Sequence, residues 1–98
     1  MFANVTSGDI LPGKIDEFIR IYEDSVKPVV EKLAGLDNLY VLTDEQNSKG
    51  LIIAIYSNRE DAENANNDGH VQAALGKLAG TLMIESIQRD NYSVSIRI

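Results

Sequence analysis

Six consecutive residues, Leu51-Ile52-Ile53-Ala54-Ile55-Tyr56, are apolar without interruption, and this run constrains the fold more than any other part of the chain. Six residues cannot cross a bilayer, and a short run rich in isoleucine reads as a strand. Strand side chains point alternately to opposite faces, so a strand that is apolar at every position has to be buried on both. A chain of 98 residues with 44% hydrophobic content supplies one core, hence a single domain over residues 1–98. Its own helices can cover one face of such a strand, and the other face needs a cover from elsewhere.

The elements around this strand follow from periodicity. Residues 2–11 mix β-formers with Ser and Gly and close at Pro12-Gly13, a strand ended by a turn. Apolar residues at 15, 18, 19, 22, 26, 29, 30 and 33 trace one face of a helix. Pro28 inside that pattern removes a backbone donor and crowds the preceding turn, which predicts a kink near Lys27, and Gly35 supplies the stop. Residues 39–43 form a second strand, and the polar stretch 44–50 joins it to the Leu51 strand as a hairpin. Ser57-Asn58-Arg59-Glu60 has capping-box spacing and predicts that Ser57 opens a second helix, which weakens through Asn64, Asn66 and Asn67 and breaks near Gly69. After Gly80, Tyr92, Val94, Ile96 and Ile98 alternate with Ser93, Ser95 and Arg97, the pattern of a last strand. The order β-α-β-β-α-β, two similar halves meeting near residue 49, is the α+β, ferredoxin-like split arrangement with an antiparallel sheet.

Charge and composition exclude several functions. Nine Lys plus Arg against fifteen Asp plus Glu leave a net charge of −6, so neither nucleic acid nor an anionic membrane surface is an expected partner. The chain has no cysteine and one histidine, which rules out disulfides, thiolate chemistry and multi-histidine metal cages built from one copy. No glycine-rich dinucleotide fingerprint follows a strand, so the expectation is no metal and no organic cofactor. The opening residues carry neither a cationic leader nor a long apolar stretch, and the expected location is cytoplasmic. Residues 64–71 imitate the first eight positions of a calcium loop, but Asn64 stands where Asp is usual and Leu75 where a bidentate Glu is needed, so calcium is rejected.

The candidate site residues are few. His70 is the one side chain whose ordinary pKa lies near neutrality, which makes it the candidate general base or pocket donor, set against a plain exposed or capping role after the helix break. Asn4 and Thr6 lie two apart on the first strand, so they share a face and can offer an amide and a hydroxyl to a ligand; a solvent-facing role is nearly as good a reading. Among Tyr22, Tyr40, Tyr56 and Tyr92, the first and third are the candidate walls of a ligand site, set against simple core packing. Ser25 and Ser57 have no base near them in sequence, and a hydrolase triad has no support.

The chain resembles the antibiotic biosynthesis monooxygenase-like domains of the dimeric α+β barrel superfamily over nearly its whole length. The resemblance is carried by Leu11-Pro12-Gly13-Lys14 at the first helix, Ser25-Val26-Lys27-Pro28 and Leu33-Ala34-Gly35-Leu36 at its end, and Ile55-Tyr56-Ser57-Asn58-Arg59-Glu60-Asp61 entering the second. Gly69-His70-Val71-Gln72 with Leu75 and Leu78, and Tyr92-Ser93-Val94, extend it. It implies a homodimer whose sheets pack face to face, with a small aromatic ligand held between the helices and sheet of each copy. Enzymes of this kind oxidise phenol or quinol-type aromatics with dioxygen and no cofactor, and relatives degrade haem. The former tend to line the pocket with Asn, Trp and Arg, the latter with Asn, Trp and His. This chain has no Trp; Tyr56 stands where many members carry an aromatic, and His70 lies too early for the haem ligand, which falls nearer Leu75. The resemblance thus implies a cofactor-independent monooxygenase on a small phenol or quinol. The competing expectation is a non-catalytic, small-molecule-binding or stress-associated dimer of the same fold.

Overall fold

A computed structural model describes all 98 residues. Four antiparallel strands, β1 (Phe2–Asp9), β2 (Leu36–Asp44), β3 (Lys49–Tyr56) and β4 (Gln88–Ser93), form one sheet in the order β2-β3-β1-β4. This is the ferredoxin-like α+β arrangement expected from the element order. β1 and β3 lie in the middle, with Asn4 opposite Ala54 and Thr6 opposite Ile52. The β2–β3 hairpin turns where expected, and both carboxylate oxygens of Asp44 accept hydrogen bonds from Asn47, one from its backbone N–H at 3.2 Å and one from its side-chain amide at 2.8 Å. These bonds hold the Asp44 carboxyl below its ordinary pKa.

The helical layer consists of α1 (Ile15–Ile21), α2 (Lys27–Val30), α3 (Arg59–Asn66) and α4 (Gly69–Gly76). Between α1 and α2 the chain runs through a π-helical turn, Tyr22–Val26, closed by the Lys27 N–H donating to the Tyr22 carbonyl. That is the distortion expected of Pro28, set one turn earlier: without an N–H at 28 the carbonyl four residues back loses its donor, and widening the preceding turn relieves the clash with the ring. The wide turn aims both Tyr22 and Val26 inward, and both are buried.

Helix α3 begins one residue later than the capping-box reading. Asn58 is the N-cap, its Oδ1 accepting from the Asp61 N–H at 2.8 Å, while the Ser57 hydroxyl faces Gly35 and Asp37. The break at the α3–α4 junction falls where the amide-rich stretch placed it, and Asp68 caps α4 by accepting from the N–H groups of His70 and Val71.

The main core packs Ile10, Phe18, Tyr22, Val26 and Val30 against Val71, Ala74 and Leu78, and a smaller cluster joins Ala54 and Tyr56 to Ala62 and Ala65. All of it lies between the helices and one face of the sheet. On the opposite face Leu51, Ile53 and Ile55 are only half-buried, and Tyr40, Leu42 and Tyr92 are exposed. No helix of this chain covers them.

The last strand departs most from expectation. It is Gln88–Ser93 rather than the alternating stretch from Tyr92 to Ile98. Its position is set by pairing with β1, from Ser7 opposite Gln88 to Phe2 opposite Ser93, and beyond Phe2 there is almost no β1 left to pair with. Only the Val94 N–H, donating to the Met1 carbonyl at 3.0 Å, continues the ladder.

Candidate functional site

Two adjoining cavities open between the helical layer and the sheet. The inner one, about 70 Å³, is lined by Asn4, Thr6, Tyr22 and Tyr56 together with Ile52, Ala54, Asn66, Val71, Gln72, Leu75 and Arg89, among others. The outer one, about 230 Å³, is walled by Phe18, Leu75, Leu78, Leu82, Ile84 and Ile87 over a floor containing Gly8 and Gly50. Thr6, Ile52, Gln72, Leu75 and Arg89 line both. An apolar cavity of about 150 Å³ accepts a benzene ring, so the outer lobe has room for one aromatic ring, and the inner lobe has room for a hydroxyl group or a water.

The strand and helix geometry explains this convergence. Asn4 and Thr6 share the face of β1 that looks toward the helices, and Tyr56 ends β3 directly opposite Phe2. Tyr22 comes from the π-helical turn above them. Four of the five residues singled out from the sequence are thus brought to one cavity.

Asn4 is the most informative of them. Its Nδ2 donates to the Ala62 carbonyl at 3.1 Å and to Asn66 Oδ1 at 3.1 Å. A backbone carbonyl only accepts, so the amide has to present its NH₂ to α3 and its oxygen the other way. That oxygen is buried and has no hydrogen-bond partner, the one such side-chain atom in the chain. A buried acceptor without a donor costs about 1–3 kcal/mol, a cost that a ligand hydroxyl would remove.

The tyrosines act differently from bases. Burial, reinforced by the neighbouring Tyr56, pushes the Tyr22 phenol up to about 12, and burial also raises Tyr56. Both hydroxyls therefore stay protonated at neutral pH and can donate hydrogen bonds.

His70 does not belong to this set. It is the second residue of α4, exposed, with its backbone N–H held by Asp68, and it lines neither cavity. Because α4 starts at Gly69, the positions that turn toward the sheet are Val71, Gln72, Leu75 and Leu78. Gln72 is fixed across the helix break by donating from Nε2 to the Asn66 carbonyl at 2.7 Å.

Arg89 is the residue that sequence reasoning missed. It lies on β4 opposite Thr6, lines both cavities and is exposed, outside the chain's three ion pairs. With the last strand expected further along, Arg89 carried no structural assignment; only the β1 register puts it beside Thr6. Its side chain adds a positive charge to the lining of both cavities. No group of three or more His, Asp or Glu side chains is placed to hold a metal ion, and no helix is long and apolar enough to cross a membrane.

Comparison with solved structures gives the same fold at low sequence identity. A putative antibiotic biosynthesis monooxygenase from Caulobacter crescentus superposes with a TM-score of 0.79 at 12% identity, over 97% of this chain and 90% of its own. One from Nitrosomonas europaea gives 0.77 at 13%, over 96% and 89%. An uncharacterised NIPSNAP domain protein from Burkholderia xenovorans gives 0.69 at 18%, over 97% and 95%. Among curated proteins none matches the sequence. The sequence profile of the antibiotic biosynthesis monooxygenase family matches residues 1–77, a span containing β1, the four α-helices and the β2–β3 hairpin but not Arg89 or the outer-cavity walls from Leu78 onward, and the chain accordingly belongs to that family.

Proposed function

We propose that the protein is a cofactor-independent monooxygenase that oxidises a small phenol or quinol-type aromatic. The observation that carries this reading is Asn4, whose buried oxygen has no hydrogen-bond partner, in the lining of a small cavity that adjoins a wider, apolar, ring-sized one. A phenol satisfies both: its ring fills the outer lobe and its hydroxyl donates to Asn4. Dioxygen reacts slowly with closed-shell molecules, so the protein's task is to make the substrate a better electron donor by favouring its anion, whose proton passes to solvent water at the mouth of the cavity; the Asn4 oxygen holds the neutral phenol, and the anion turns to the donors and the positive charge. Arg89 supplies the positive charge for that anion, and Thr6, Tyr22 and Tyr56 supply hydrogen-bond donors along the cavity. A phenol plus dioxygen then yields a quinone plus water, the substrate providing all the electrons. Two copies operate together in this reading, with the uncovered sheet faces packed against each other.

Oxygen consumption with a panel of phenols and hydroquinones tests the proposal, with labelled dioxygen reporting the source of the new quinone oxygen. Turnover of free phenols, and none of their O-methyl ethers, is the expected result. A folded protein that binds these compounds yet consumes no oxygen would instead be the non-catalytic binding protein.

A further inference from the structure

We infer that the opposed glycines Gly8 and Gly50 are the specificity-determining floor of the outer lobe, and that the room they leave admits an apolar substituent para to the hydroxyl of a bound phenol. This rests on the proposed phenol site and goes further by fixing the shape of the ligand.

The two glycines face each other across the middle of the sheet, Gly8 on β1 opposite Gly50 on β3, and both line the outer lobe. A glycine inside a strand costs stability relative to alanine, and its usual reasons are a left-handed backbone, a bulge, or the close approach of another group. The first does not apply, since the left-handed glycines of this chain are Gly13 and Gly35. Nor does the second, because the β1–β3 register runs without a shift from Phe2 opposite Tyr56 to Asp9 opposite Lys49. The third applies within this chain to Gly50 alone. A Cβ there would lie 3.1 Å from Ile10 Cδ1, a tight contact, whereas a Cβ on Gly8 would meet nothing nearer than Ile87 Cγ1 at 3.4 Å, which is ordinary packing. At Gly8 neither the backbone nor a neighbouring side chain requires glycine, and the group that approaches it closely is a ligand.

The order of residues along the two strands says which part of the ligand that is. Asn4 with its partner Ala54 lines the inner lobe alone, Thr6 with Ile52 lines both lobes, and Gly8 with Gly50 lines the outer lobe alone. Gly8 lies about 14 Å from Asn4 along β1. A phenol that donates its hydroxyl to Asn4 and lays its ring in the outer lobe therefore turns its para position toward the glycines. The outer lobe, about 230 Å³, exceeds the roughly 150 Å³ that holds benzene, which leaves room beyond the ring for a few more heavy atoms. Phe18, Leu78, Leu82 and Ile87 wall that lobe, so the added atoms are apolar.

Phenol and para-propylphenol, titrated into the isotope-labelled protein and followed by NMR, test this through the shifts of the Gly8 and Gly50 amides and through the dissociation constants. Wild type should bind para-propylphenol at least about tenfold more tightly than phenol, with the longer compound moving the two glycine amides more. Gly8→Val should abolish that preference and leave phenol binding within about twofold. Gly8→Ala, whose methyl meets only ordinary contacts, should remove part of the preference and serves should the valine variant fold poorly. No preference in the wild type, or an undiminished preference in the folded variants, overturns the glycine floor while leaving the phenol site standing. Binding of neither compound overturns both. The expected binding pattern without oxygen uptake supports the glycine floor and removes only the oxidation chemistry.

Discussion

At Asn4 the backbone of α3 decides which half of the amide binds the helix, since the Ala62 carbonyl can only accept, and leaves the oxygen without a partner. In the proposed reaction the free oxygen favours a ligand with a donor, and Arg89 one that can carry negative charge. In that reaction, replacing Arg89 by Ala should lower kcat/KM for the phenol that turns over best by about 10²–10³, the usual cost of losing one preorganised partner of the developing charge, and Asn4→Ala, which removes an acceptor for the neutral phenol, should lower it by about tenfold. His70→Ala should leave turnover essentially unchanged, because the side chain lies outside both cavities; steady-state kinetics on the three variants checks the contrast. Tyr22 gives a prediction in pH. It loses its proton near pH 10 in an unfolded chain and near 12 in the folded one, so the folded state holds that proton more tightly. The associated stability is fully present below about pH 10 and is lost as pH rises through about 12. Urea midpoints should fall across that window and fall less in Tyr22→Phe.

Helices and strands were legible wherever local chemistry decides them. The periodicity from Ile15 onward, the break before Gly69 and the hairpin after Asp44 all depend on residues adjacent in sequence, and each is found where the pattern puts it. At the start of α3 two polar residues compete for the same cap, and the outcome depends on what lies nearby: Gly35 and Asp37 engage Ser57, and Asn58 takes the helix. Asn58→Ala should therefore cost about 1 kcal/mol in chemical denaturation, and Ser57→Ala distinctly less. Gly35 has its own constraint, a φ of +74° with the Asp61 carboxylate occupying the place of a side chain. Any substitution there strains the turn that joins α2 to β2.

Across the whole molecule, the dominant feature is a sheet with one face covered by helices and the other, formed by Leu51, Ile53 and Ile55 with Tyr40, Leu42 and Tyr92, left open. Light scattering should give twice the 10.8 kDa chain mass. Ile53→Asp should raise the dimer dissociation constant by more than about 10²-fold, since an unpaired charge on a buried face costs several kcal/mol. That open face was visible in the sequence alone, because burial on both sides of a strand needs only the identity of six successive residues. So were the fold class and the fact that Asn4 and Thr6 share one face of β1, because strand parity is a local property; that this face meets the helices came from the fold. The position of β4, the entry of Arg89 into the cavity and the exclusion of His70 came only from tertiary structure. Each depends on a register between segments distant along the chain, and shifting a strand or a helix start by a residue or two redirects its side chains without altering the local pattern.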